Sequence, residues 1–247
     1  MNKIYLLLFL MLLLVLGYVA MQQPHLSVPI HSRIYDATHK NASVKTTTDL
    51  NKVKLNFMPL KKEQLAKEFK DRTGYDMPKY LSKVKQEDLY RVSEKHLFKK
   101  VAGHHRLYQF LPKDSKVNRA KAKWFKKDSL TVVMDFAILE KLIELQDELK
   151  ALGHNPNAMS VRNGWRYPHY NTKIGGASAS RHLHGDAIDL SIGDINKDGK
   201  YTDADKQIVL KLLDEKVIGS NGGVGLYPGT RAVHMDLRGR RARWDSY

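Results

Sequence analysis

The chain has 247 residues, enough for one substantial core with an appendage or for two small domains. It contains no cysteine, which excludes disulfides, zinc fingers, iron–sulfur clusters and thiol nucleophiles. Its 42 basic and 26 acidic side chains give a formal charge of +16, which draws it to polyanions without choosing among nucleic acid, anionic lipid and an acidic cell wall.

The first element comes after Lys3. Ile4 to Met21 is an uncharged, almost wholly apolar run. It is longer than the apolar part of most secretory signals, and Tyr18-Val19-Ala20 makes a poor cleavage site. Its 18 residues meet the lower bound of about 17 for a membrane span, so residues 1–21 are expected to be a signal peptide or, preferably, a retained anchor. The positive charge ahead of the run predicts export of the remainder of the chain, to the periplasm or to the periplasmic face of an inner membrane. Export also makes genomic DNA a poor partner.

Residues 22–60 are polar, with Pro24, Pro29 and Thr46-Thr47-Thr48, and read as a tether. Residues 61–128 form a basic, partly helical region. Lys61 to Thr73 spaces Leu65 and Phe69 as an amphipathic helix ended by Gly74, and Asp88 to Val101 is a weaker helical pattern. Lys113 to Lys127 carries seven basic residues against one acidic residue, with Trp124 and Phe125 near its end, either a grip on an anionic surface or a solvated segment.

From residue 129 the texture changes. Leu130 to Met134 predicts a strand. Phe136 to Leu152 predicts a helix with Leu139, Leu142, Ile143, Leu145 and Leu149 on one side, closed by Gly153. Ser160 to Arg162 reads as a short strand, followed by turn-rich sequence to Gly176. A main domain over 129–247 is therefore expected, with an α+β fold: a small antiparallel sheet flanked by helices.

In Ser180 to Ile192, alternation sends Gly185, Ala187, Asp189 and Ser191 one way and Asp186, Ile188, Leu190 and Ile192 the other. A carboxylate among small residues leaves room for an ion and a substrate, and His182 lies just ahead of this strand. In Ala232 to Leu237, Val233, Met235 and Leu237 share one face, while His234 and Asp236 share the opposite one. Such polar groups on an apolar strand are costly to bury unless something binds them. Two histidines and a carboxylate suit a catalytic zinc site that keeps a fourth position open.

Ser180-x-His182-x-x-Gly185-x-Ala187-x-Asp189, with His234-x-Asp236, resembles the zinc D-Ala-D-Ala carboxypeptidases and their relatives, which include the VanX dipeptidases, phage endolysins and the hedgehog fold. The segments Asn163 to Asn171, Gly222 to Pro228 and Arg243-Trp244 look most like the periplasmic YcbK-like branch. The resemblance covers roughly Ser129 to Tyr247. It implies a peptidase acting on peptidoglycan peptides, with His182, Asp189 and His234 as zinc ligands and Arg166 as a catalytic residue lining the site, where a guanidinium can hold a carboxylate or steady a developing oxyanion. Relatives place a carboxylate base three residues before the last ligand, where this chain has Arg231, or a histidine two before it, where it has Ala232. Asp236 is then the candidate base, or alternatively the partner that orients a ligand. Without a competent base the chain would be a metal-binding cell-wall module.

A second ion is expected directly after the Asp189 strand. Asp194, Asn196, Asp198 and Asp205 occupy positions 1, 3, 5 and 12 of a twelve-residue loop with Gly199 at position 6, the EF-hand calcium pattern. Lys200 would offer its carbonyl and Thr202 would act directly or through water. Asp205 in place of glutamate resembles dockerin-type loops, and a helix over Ala204 to Glu215 is predicted to come next.

Overall fold

The computed structural model describes residues 32–73, 84–111 and 129–245. The apolar run 4–21, the terminating Gly74 and the basic stretch 113–127 lie outside these. Among the described residues no helix is long and apolar enough to cross a membrane. The chain divides into two compact units, Met1–Ala42 and Ser43–Tyr247. In the first, residues 32–38 are helical, closed by Thr38 Oγ1 donating to the Ile34 carbonyl at 2.8 Å.

The second unit carries a five-stranded sheet and a three-stranded sheet. The larger has the order β10-β8-β9-β7-β6, with β6 Met159–Asn163, β7 Ala187–Ile192, β8 Gly223–Leu226, β9 Ala232–Asp236 and β10 Ala242–Trp244. Its inner pairings are antiparallel, as expected, but β10 runs parallel to β8. The smaller sheet pairs β1 (Phe57–Pro59), β2 (Leu89–Ser93) and β5 (Ser129–Val133), all antiparallel. A short ladder joins β3 (Lys100–Ala102) to β4 (His105–Arg106).

The helix Phe136–Ala151 begins where Asp135 Oδ1 accepts from the Ala137 amide at 2.9 Å, and Gly153 lies just past its end with φ 79°. Its buried Leu139, Leu142, Leu145 and Leu149 share one core with Ile188, Leu190, Val233 and Met235 from the back of the large sheet. Packing of this kind is the main source of the unit's stability. The helix Asp203–Leu212 joins the same core through Val209 and Leu212 and runs on through a wider turn, Leu213–Val217.

Several expectations need correction. The span 22–60 is not simply a tether: Thr46 caps the helix Thr47–Lys54, accepting from the Asp49 amide at 3.1 Å, and Leu50, Val53 and Phe57 are buried. Asp88 to Val101 is not a helix but contains β2, because Leu89, Tyr90 and Val92 are buried on both faces of a central strand. Residue 129 is no boundary between compact units, since β5 pairs with β2 along its whole length. Among its described residues, 61–128 combines the helix Lys62–Thr73 and short 3-10 turns with the strands β2, β3 and β4.

Candidate metal centre

The strand register assembles the site. Asp189 on β7 faces His234 on β9, and Ala187 faces Asp236. On either side, Asn163 of β6 pairs with Asp189, and Gly225 of β8 pairs with His234 and Trp244. One row across the sheet is therefore Asn163, Asp189, His234, Gly225 and Trp244. A Cβ at Gly225 would collide with the Trp244 ring, whose centroid lies 5.0 Å from that of His234.

His182 arrives from the turn Arg181–His184. Gly185 closes this turn at φ 78°, where a Cβ would also meet the Val133 carbonyl, and its own carbonyl accepts from the Asp135 amide at 3.0 Å. Arg181 holds the buried Asp186 through two hydrogen bonds. The small sheet thus buttresses the histidine turn. Residues before 129 take part too: the Trp165 amide donates to the Phe110 carbonyl at 3.0 Å, and a Cβ on Gly164 would strike that carbonyl. The Gly164 carbonyl in turn accepts from His182 Nδ1 at 2.6 Å.

The three expected zinc ligands meet. His182 Nε2 lies 3.1 Å from Asp189 Oδ1, His234 Nδ1 lies 2.9 Å from the same oxygen, and the two ring nitrogens are 3.2 Å apart. All three residues are buried, and among the described residues they form the one group of three or more such side chains with donor atoms close enough to share an ion. Tetrahedral zinc with bonds of about 2.0–2.1 Å holds its donors about 3.3 Å apart, close to this spacing.

The outward nitrogens define the tautomers. His182 Nδ1–H goes to the Gly164 carbonyl, and His234 Nε2–H goes to Asp236 Oδ2 at 2.9 Å. Both inward nitrogens then carry lone pairs aimed at a carboxylate oxygen, an arrangement that requires a cation or a shared proton. The electrostatics agree. Burial pushes His182 down, against the pull of Asp189. Burial also opposes the charged form of His234, but hydrogen bonds to Asp189 and Asp236 override it and raise that histidine. Burial would raise Asp189, yet His182 and His234 hold its carboxyl well below the usual range. The donor set and its fixed tautomers fit zinc.

Around the ligands, Arg166 Nη2 donates to Asp189 Oδ2, which also accepts from Asn163 Nδ2 at 3.2 Å. Arg166 Nε is buried without a hydrogen-bond partner. Asp236 is fully buried. Its Oδ1 accepts from the Gly223 amide (3.1 Å), the Arg238 amide (3.1 Å) and Arg238 Nε (2.9 Å), and its Oδ2 from His234 and Arg238 Nη2 (2.6 Å). Burial would raise this carboxyl, but His234 and Arg238 hold it far below the usual range. Arg231 is exposed, its guanidinium 4.3 Å above the Tyr201 ring.

Sequence reasoning placed Asn163, Gly164, Tyr227 and Trp244 in segments that resemble the family but gave them no site role, and it passed over Arg238. The Asp236-x-Arg238 spacing was a usable signal for the last, since alternation returns residue 238 to the face of residue 236.

The loop 194–205 is closed by its own hydrogen bonds. Asp194 accepts from the Asp198 and Gly199 amides at 3.0 Å, Asn196 Oδ1 from the Asp198 amide at 3.0 Å, and Asp198 from the Lys200 amide at 3.1 Å. Lys197 and Gly199 take φ of 67° and 90° to make the bend. Asp205, expected as the twelfth ligand, instead turns its Oδ1 to the Ile195 (2.8 Å) and Asn196 (3.1 Å) amides and its Oδ2 to Thr202 N (2.7 Å) and Oγ1 (3.2 Å). Asp194, Asp198 and Asp205 do not bring their carboxylates together as His182, Asp189 and His234 bring their donor atoms together.

Residues 117–236, just under half of the chain, match the family model described as Peptidase M15, and the match spans all three expected ligands. No curated protein and no solved structure matches the chain.

Proposed function

We propose, from the match of residues 117–236 to the zinc-dependent Peptidase M15 family, that this chain is a zinc peptidase that hydrolyses peptide bonds of peptidoglycan as a D,D- or L,D-carboxypeptidase or endopeptidase. One observation carries the reading: three buried lone pairs converge from His182, Asp189 and His234, with both histidine tautomers fixed from outside. When bound there, zinc supplies a Lewis acid that polarises a carbonyl and makes water acidic near neutral pH. Gly164 and Asp236 aim the two imidazoles, and Arg166 steadies Asp189. The remaining Arg166 N–H groups are suited to a substrate carboxylate. Asp236 is a positioning group rather than the base, because both of its oxygens are taken by donors.

Calcium in the loop 194–205 is part of the proposal, resting on the spacing of Asp194, Asn196, Asp198, Gly199 and Asp205 in the sequence. An ion there would steady the exit of β7, only a few residues from Asp189. The apolar run 4–21 and the positive charge support export, with the membrane and the cell wall as neighbours.

The test incubates the purified, zinc-loaded full chain with peptidoglycan and measures new amino termini and released D-alanine. Zinc-dependent release, lost in His182→Ala, is expected. Tight binding to peptidoglycan with no release would instead make the chain a wall-binding module.

A further inference from the structure

With Asp236 saturated and Arg231 exposed, neither supplies a protic group facing the metal donors. A different residue does. The Tyr227 hydroxyl donates to Asp189 Oδ1 at 3.4 Å, on the same oxygen that both histidines approach. This is long for an O–H···O bond, for which about 2.7–2.8 Å is usual, so a better acceptor nearby would win the proton's direction. The side chain is half-buried, which leaves one side open to a substrate.

The turn that carries Tyr227 is clamped. Lys206, itself buried, donates Nζ to the carbonyls of Tyr227 (2.8 Å) and Thr230 (2.6 Å). Tyr201 donates its hydroxyl to the Thr230 carbonyl at 3.4 Å, and Arg231 lies over the Tyr201 ring. A lysine ammonium is costly to bury, and this one is held by two backbone carbonyls of one turn rather than by a carboxylate. The turn is thereby tied to the helix Asp203–Leu212, and the Arg231 carbonyl beside it accepts from the Ile192 amide of β7 at 2.9 Å; a preorganised donor is what transition-state stabilisation requires.

We infer that Tyr227 is a catalytic residue, its hydroxyl donating a hydrogen bond to the scissile carbonyl oxygen as negative charge develops there. The inference rests on the peptidase reading. In the net reaction a water oxygen bonds to the acyl carbon, the carbon–nitrogen bond breaks, and the leaving nitrogen gains a proton that came from water. Tyr227 keeps its own proton throughout, and its bond swings from Asp189 to the oxyanion.

The test compares wild type with Tyr227→Phe, both as zinc-loaded full chains, on soluble peptidoglycan peptides. A fall in kcat of about 100- to 1,000-fold is expected, the range for losing one oxyanion donor, with KM and zinc affinity within about threefold of wild type. A phosphinate peptide that mimics the tetrahedral state should lose affinity by the factor lost in kcat/KM. Unchanged kcat overturns the assignment, as does a loss of activity that tracks loss of zinc, which would make Tyr227 a prop for Asp189. A misfolded variant is recognised by its unfolding curve, and Tyr227→Leu, tested in its place, must then show the same split between kcat and zinc affinity or the assignment falls. A wild-type chain that binds zinc but cleaves nothing overturns the peptidase reading itself, whereas an active wild type beside an equally active Tyr227→Phe overturns only this step.

Discussion

Replacing Asp236 by asparagine separates its two possible roles. The carboxylate accepts on both oxygens: Oδ2 faces donors on His234 and Arg238, while Oδ1 faces the Gly223 amide and two Arg238 groups. An asparagine NH2 at either position points a donor at donors, and Arg238, its side chain 24 % exposed, loses a counter-charge that is itself 0 % exposed. Breaking a buried ion pair from one side costs about 3–5 kcal/mol, so the metal-free variant should unfold at markedly lower urea. His234 also loses the acceptor that fixes its tautomer, and zinc affinity should fall about 10- to 100-fold, as for other partners of metal-bound histidines. Urea unfolding of the metal-free chain and competitive zinc titration give the two numbers. A general base would leave a different signature: wild-type stability and wild-type zinc affinity with kcat abolished. That result would refute the positioning argument.

Other expectations rest on single contacts. Burial, with Asp135 adding to it, pushes the Asp88 carboxyl up to about 7 from an ordinary 3.8. Its folded form holds a proton that the unfolded chain has lost, so the stability it contributes is present below pH about 4 and declines as pH rises to about 7, by at most about 4 kcal/mol. Asp88→Asn should flatten the unfolding free energy over that window, and a profile parallel to wild type would show the burial argument wrong. Gly225→Ala should push Trp244 off His234, destabilising by about 1–3 kcal/mol, the usual cost of overpacking, and weakening zinc binding. Thermal melts with and without the extra methyl check it, and equal midpoints would mean that Trp244 moves freely. If the loop 194–205 binds calcium, calcium at about 100 times Kd adds about 2.7 kcal/mol of stability, and Asp194→Ala with Asp198→Ala removes that gain. No midpoint shift on adding calcium to the wild-type chain would leave the loop as a turn closed by its own hydrogen bonds.

The metal face was legible because it depends on strand period alone. Asp189 and His234 each stand among small or alternating apolar neighbours, and the register that pairs them comes from burying Ile188, Leu190, Val233 and Met235 on the other side. His182 was legible from its place before the strand, although its aim depends on Gly164 and Phe110, far apart in the chain. The span Asp88 to Val101 misled because a strand buried on both faces lacks alternation, and its charges broke the pattern into something helix-like. The tether misled for a related reason: polar composition does not reveal that Leu50, Val53 and Phe57 share a core with the helix Phe136–Ala151.

The features that the sequence withheld have a common physical cause. Asp236 has one chemistry in isolation and another once Arg238, Gly223 and His234 have filled its lone pairs, and that filling is a property of the folded neighbourhood. The same holds for Tyr227, whose relevance depends on a turn clamped by Lys206 from a distant helix. An arginine at the position where relatives carry a carboxylate looked like a lost base. In the fold it covers Tyr201, the residue that together with Lys206 braces the turn bearing Tyr227. On the proposed reading, the departure at Arg231 belongs to the support of a neutral donor at the metal face, and Tyr227 rather than Asp236 would carry the chemistry there.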